Sequence, residues 1–360
     1  MKPLSLLSPF VFSLALDRAS FLRNLLLLTG KFSDHSIAEN SWQIRLPVEH
    51  CSGGSYCVRL KVVGATKTYR IYRAAVDTGS PYLVLSGDRD IYEQRGNLPF
   101  SLVDSPIYRP TEEIYGAGSG FLQWKEAKVK FRSTPLLSSE ATVLALMDDQ
   151  LEVETGGTLL GLVKHPNPPR QQDFYRPTWL QQVQFRDGSS VRSFSIDPES
   201  LVLSSKSLLD ERLPLIPLID LRPLGDFIEH YCFVVKKLTL DGVTVTSHDL
   251  GGRPIVAVLD TGLTGCLVTQ NLWDALADQI QIDPRRIRLA TVSVQDITKR
   301  RQVDFTSGRG FNKLFYIAPI SLDWFVQEER APFLLVMGQT YLGQGKLTVD
   351  MEDRLASFQL

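Results

Sequence analysis

Asp77 and Asp260 stand in the same local setting. Each ends a short apolar run and opens an Asp-Thr-Gly triplet, in AAVDTGSPYLVLSG (74–87) and AVLDTGLTGCLVTQ (257–270). A carboxylate at the end of a buried strand is costly unless something uses it. Two such carboxylates in contact cannot both ionise readily, so they share a proton and divide the roles of acid and base. A pair of this kind can deprotonate a water and protonate a carbonyl oxygen together. The neighbouring residues suit that work. Gly79 and Gly262 let the backbone approach closely and donate N–H groups to the carboxylates. Thr78 and Thr261 carry hydroxyls able to tie the two turns together. Ser80 follows the first triplet, whereas Leu263 follows the second. A donor beside a carboxylate favours its charged form. The sequence therefore predicts that Ser80 supports ionisation of Asp77 while Leu263 leaves the proton on Asp260. The pair's titration would then be displaced upward, suiting mildly acidic or near-neutral conditions.

One Asp-Thr-Gly is only a turn signal, since Asp and Gly both favour turns. Here the triplet recurs, and each copy is trailed by an apolar-apolar-Gly, in GTLLGL (157–162) and LLVMGQ (334–339). The intervals are similar, 77 to 161 and 260 to 338. So long a repeat predicts two related lobes rather than a solenoid.

The elements that must position these residues read as strands. YCVRLKVVGATKTYRIYRAAVDTGS alternates polar and apolar residues around a Gly-containing turn, a hairpin leading into a further hydrophobic strand. YCFVVKKLTLDGVTV carries an Asp-Gly turn between two strand-like runs. Helical signals are confined to PTWLQQVQF (177–185) and TQNLWDALADQI (269–280). The fold class expected is all-β with small helices. Residues 164–177 read as a Pro-rich surface loop and those around 204–226 as a connection between halves.

Composition narrows the function classes. The net charge is −1 and charged residues make up 22% of the chain, so no basic field argues for nucleic acid. Neither zinc-type Cys/His spacing nor HExxH occurs, which predicts no metal and no cofactor. Four cysteines are too few for a disulfide scaffold. Cys51 and Cys57 are close enough to bridge a local loop, while Cys232 and Cys266 read as buried free thiols. The five histidines are scattered and none lies in a motif, so none is assigned a catalytic role. Residues 1–41 read as a leader. MKPLSLLSPFVFSLAL fits a secretory signal, but the Ser, Arg and scarcity of acids, with no N-x-[ST] sequon in the chain, favour an organelle such as a plastid.

Around these residues the chain resembles the pepsin-like aspartic proteases, over about residues 42–360. EEIYGAGSGFLQW (112–124) is similar to the family's flap hairpin, with Tyr115 as the flap tyrosine. GGTLLGLV resembles the segment threading beneath the first Asp, SFSIDPESLVLSS (193–205) the stretch closing the first lobe, and MGQTYLGQGKLTVDMEDRLASFQL (337–360) the C-terminal block. The resemblance implies a bilobal pepsin-like fold with lobes at 42–205 and 206–360. It implies a monomeric endopeptidase whose Asp77 and Asp260 activate water. A polypeptide would lie extended in the cleft, pairing its backbone with Gly79, Gly116, Ala117, Gly262 and Thr264.

Three departures mark a divergent member, of plant or algal type. Leu263 replaces the usual Ser or Thr. Val84 occupies the position of a Trp that bonds the flap tyrosine. The usual disulfide loop after the first motif is absent. The competing reading is a non-catalytic protein that uses the same fold to bind polypeptides or another partner.

Overall fold

The computed structural model describes residues 43–51, 54–66, 68–87, 91–94, 101–115, 118–131, 142–148, 157–164, 176–185, 187–224, 226, 228–307, 315–317 and 332–360. The leader at 1–41, Gly116, Ala117, Trp324 and most of the Pro-rich loop lie outside them. Within the described residues the chain is mainly β, arranged as several sheets. No helix among them is long and apolar enough to cross a membrane.

Six strands close into a barrel that carries Asp77. Tyr56–Val63 pairs antiparallel with Tyr69–Asp77, which runs parallel to Leu159–Gly161. Leu159–Gly161 lies antiparallel to Leu83–Leu85, itself parallel to Thr142–Met147. Thr142–Met147 pairs with Gly118–Phe131, which returns to Tyr56–Val63 and closes the ring. The first hairpin is the one expected from alternation: Tyr56–Val63 and Tyr69–Asp77 each turn alternate side chains inward.

Asp260 follows the strand Ile255–Leu259 in a five-stranded sheet. That strand is apolar at every position because both its faces are covered; all five residues are buried. Its neighbours are Cys232–Val235, antiparallel, and Phe333–Met337, parallel. Phe333–Met337 runs antiparallel to Cys266–Val268, which runs parallel to Phe315–Ile317. The order of directions around Asp260 thus repeats that around Asp77: parallel, antiparallel, parallel. The repeated glycines have one role in both. A Cβ on Gly161 would lie 2.5 Å from the Ser80 carbonyl oxygen, and one on Gly338 would collide with the backbone of Leu263 and Gly265. Each glycine lets its strand pass beneath the turn that carries an Asp.

A six-stranded antiparallel sheet joins the two parts of the chain. Gln43–Pro47, Ser200–Ser204 and Ser193–Ile196 pair onward to Lys346–Asp350, Leu355–Gln359 and Ile216–Pro217. Asp350, with its side chain fully buried, receives Arg192 Nε at 3.0 Å across that seam. The expected connection at 204–226 therefore includes a short strand of this sheet. The Asp-Gly turn at 241–242 links Lys237–Leu240 to Val243–Val245 as expected.

Both expected helices form, but shorter. Trp179–Gln182 starts from Thr178, whose hydroxyl accepts Gln181 N while the Gln181 side chain accepts Thr178 N. It stops at Val183, where the backbone turns extended. Gln270–Asp278 forms most of the second, and a third short helix, Gln339–Leu342, was not expected. Cys51 and Cys57 form a disulfide, and Cys232 and Cys266 are free and buried. In the KRR turn at 299–301, Arg301 bonds Asp296 and the carbonyls of Arg212 and Leu213.

Candidate active site

The two Asp-Thr-Gly turns meet face to face. Thr78 N donates to Thr261 Oγ1 at 3.1 Å, and Thr261 N donates to Thr78 Oγ1 at 3.0 Å. Each hydroxyl then donates across to the strand that ends in the opposite Asp: Thr78 to the Leu259 carbonyl at 2.8 Å, Thr261 to the Val76 carbonyl at 2.6 Å. Both threonines are fully buried. Four bonds in a two-fold pattern satisfy donors that would otherwise be stranded away from water.

This lock sets the carboxylates side by side. Gly79 N donates to Asp77 Oδ1 at 2.8 Å, and Gly262 N to Asp260 Oδ1 at 2.9 Å. The glycines also face the opposite acid. A Cβ on Gly79 would lie 2.7 Å from Asp260 Cγ, and one on Gly262 would lie 2.7 Å from Asp77 Cγ. No residue but glycine lets the two acids come this close.

Both carboxyls are raised above the ordinary carboxylate range, which favours one proton shared between them. Burial pushes Asp77 well above the ordinary carboxylate range, and the charge and hydrogen bond of Asp260 push it further; Gly79 and Gly262 N–H groups only partly offset this. Burial also raises Asp260. It is opposed by the hydrogen bond with Asp77, the charge of His230, and the N–H groups of Gly262 and Leu263. The causes differ between the two acids: the partner's charge raises Asp77, whereas the charge of His230 and the N–H of Leu263 favour the ionised form of Asp260. Two local facts set the turns apart. The Ser80 hydroxyl, though buried, has no hydrogen-bond partner among the described residues. Leu263 contributes through its backbone instead, its N–H reaching Asp260 Oδ1 at 3.2 Å.

No protein-family model matches this sequence, and no curated protein is detectably similar to it. The geometry therefore carries the functional reading.

The other expected site residues fall as follows. Tyr115 ends the strand Thr111–Tyr115 and pairs with Gly118 in a hairpin; Gly116 and Ala117 lie outside the described residues. Thr264 lies beside the second turn, where its carbonyl accepts Thr340 N at 2.9 Å. Val84 is fully buried and packs in one cluster with Trp124, whose indole N–H donates to Thr111 Oγ1 at 2.9 Å. Among the described residues no group of His, Cys, Asp and Glu is arranged to hold a metal ion.

Sequence reasoning missed His230. Its Nε2 lies 3.2 Å from the Gly79 carbonyl oxygen and its Nδ1 2.7 Å from Asp226 Oδ2. The register explains its place. Cys232 pairs antiparallel with Val258, so two residues back from Cys232 and two on from Val258, His230 comes level with Asp260. Leu259 N donates to the Tyr231 carbonyl at 2.9 Å and continues the ladder to that point. The only signal available was this antiparallel pairing, and the intervening strands at 237–245 hide it in the sequence.

Proposed function

We propose that this chain is an aspartic endopeptidase of pepsin-like build, with lobes at 42–205 and 206–360 and the dyad between them. One observation carries the reading: the reciprocal pairing of the two Asp-Thr-Gly turns, which puts two buried carboxylates in contact with one proton to share. The equivalent strand directions around each Asp support a pseudo-two-fold relation. In the reaction, the ionised carboxylate takes a proton from water as the water oxygen bonds to the peptide carbonyl carbon. The protonated carboxylate gives its proton to the carbonyl oxygen. Collapse of the tetrahedral intermediate breaks the C–N bond: the carboxyl that took the water's proton gives it to the nitrogen, which leaves as an amine, while one hydroxyl of the intermediate returns its proton to the other carboxylate. A polypeptide in extended form would pair with the backbone of Gly79, Gly262 and Thr264, and the hairpin at Tyr115 would cover it. The dyad needs no cofactor or metal, and the working unit is a monomer.

The test is hydrolysis of a peptide library from acidic to neutral pH, with Asp77→Asn and Asp260→Asn, each shown to be folded by circular dichroism, as controls. Cleavage by the wild type, blocked by a statine-containing peptide and abolished in both variants, supports the reading. Statine-peptide binding with no cleavage favours the non-catalytic polypeptide-binding protein instead.

A further inference from the structure

Both ring nitrogens of His230 face acceptors. A backbone carbonyl can only accept a hydrogen bond, and an ionised carboxylate likewise. Nε2 faces the carbonyl of Gly79 and Nδ1 the carboxylate of Asp226. Both bonds are made only when both nitrogens carry protons, that is, by the imidazolium. The strand register brings this cation level with Asp260. Gly79, which anchors it, is the same residue that donates to Asp77 and packs on Asp260. His230 is thus attached to the first turn while it lies in the ladder of the second.

We propose that His230 is a positioning residue of the dyad: clamped as an imidazolium between Asp226 and the Gly79 carbonyl, it holds the pair's negative charge on Asp260 and the shared proton on Asp77. This makes Asp260 the base toward water and Asp77 the acid toward the carbonyl oxygen, and in that respect it rests on the proposed peptidase reading. The cation itself does not.

The charged surroundings leave this effect standing. Glu229, the next residue, is matched by Arg222 at 2.7 Å and Arg354 at 2.5 Å. Lys164 lines the same small cavity as His230 and Arg354, and its ammonium is turned to the carbonyl of Val191 and the hydroxyl of Ser190. Asp226 and Asp260 are the acids that act on the ring. Burial alone would discharge the imidazole, but Asp226, Asp260 and the Gly79 carbonyl outweigh it and raise its pKa.

The experiment has two arms. In the first, the imidazole of His230 is titrated by NMR in histidine-labelled protein and assigned by its loss in His230→Gln. The wild-type midpoint should lie above that of a free imidazole, and both Asp226→Asn and Asp260→Asn should lower it by about one unit. A midpoint unmoved in Asp260→Asn overturns the coupling. This arm needs no activity, so it stands even if the protein cleaves nothing. In the second arm, kcat/KM on one peptide is followed against pH for wild type and His230→Gln, which keeps a donor for Gly79 but carries no charge. Removing a cation makes ionisation of the dyad harder, so the acidic limb should move to higher pH by about half a unit or more. A limb that stays, or moves lower, overturns the proposal even where the enzyme is active.

Discussion

Thr78 and Thr261 exchange hydrogen bonds in both directions, at 3.1 and 3.0 Å, although 183 residues separate them. Each hydroxyl is at once acceptor and donor, so neither can be removed without stranding a buried N–H and a buried carbonyl. Thr78→Val should therefore destabilise the fold by about 2–5 kcal/mol, the cost of two unsatisfied buried groups, and reduce turnover by loosening the carboxylates. Thr78→Ser keeps the hydroxyl and should keep most of both. Urea unfolding and kcat/KM on the same preparations check this. Equal stability of the Val and Ser variants would refute the lock.

The titrating groups of the site all push stability the same way. Asp77 and Asp260 are raised above their ordinary 3.8, and His230 above 6.5. In each window the folded state binds more protons than the unfolded state, so stability falls as pH rises through it. Above the ordinary carboxylate range, these groups should make the melting temperature decline as pH rises. Asp77→Asn should flatten the lower part of the decline and raise Tm near neutrality by about a few degrees, while activity is lost. His230→Gln should flatten the upper part. Scanning calorimetry across pH reads both, and an unchanged slope in Asp77→Asn would show that the acid carries no such strain.

Leu263 leaves room for an added donor. Its N–H already reaches Asp260, so a side-chain hydroxyl would supplement an existing bond. Leu263→Thr should move the acidic limb of the pH–rate profile to lower pH, by less than about one unit. A shift to higher pH would mean the new hydroxyl does not point at the carboxylate.

Arg192 and Asp350 join the two parts of the chain across the six-stranded sheet. Asp350 also accepts the N–H groups of Glu352 and Asp353, so it keeps some support without its cation. Arg192→Leu should still destabilise by about 3 kcal/mol, because a fully buried carboxylate loses its countercharge. Urea denaturation gives the value, and a change near zero would place the seam's strength in the strand pairing alone.

The chemistry-bearing motif and the strands beside it were legible because their causes are local. Alternating side chains mark Tyr56–Val63 and Tyr69–Asp77 as half-buried strands, and an unbroken apolar run marks Ile255–Leu259 as buried on both faces. The doubled Asp-Thr-Gly and its trailing glycines were visible for the same reason: close backbone approach admits no other residue at Gly79, Gly262, Gly161 or Gly338. The charged group beside the pair was not legible. The sequence offered Ser80 and Leu263 as the difference between the turns, but a hydroxyl acts only where its rotamer points, and that of Ser80 meets no partner among the described residues. His230 lies 151 residues from the Gly79 carbonyl it bonds. Charge acts through space and register, so only the antiparallel pairing of Cys232–Val235 with Ile255–Leu259 could bring that imidazolium to Asp260.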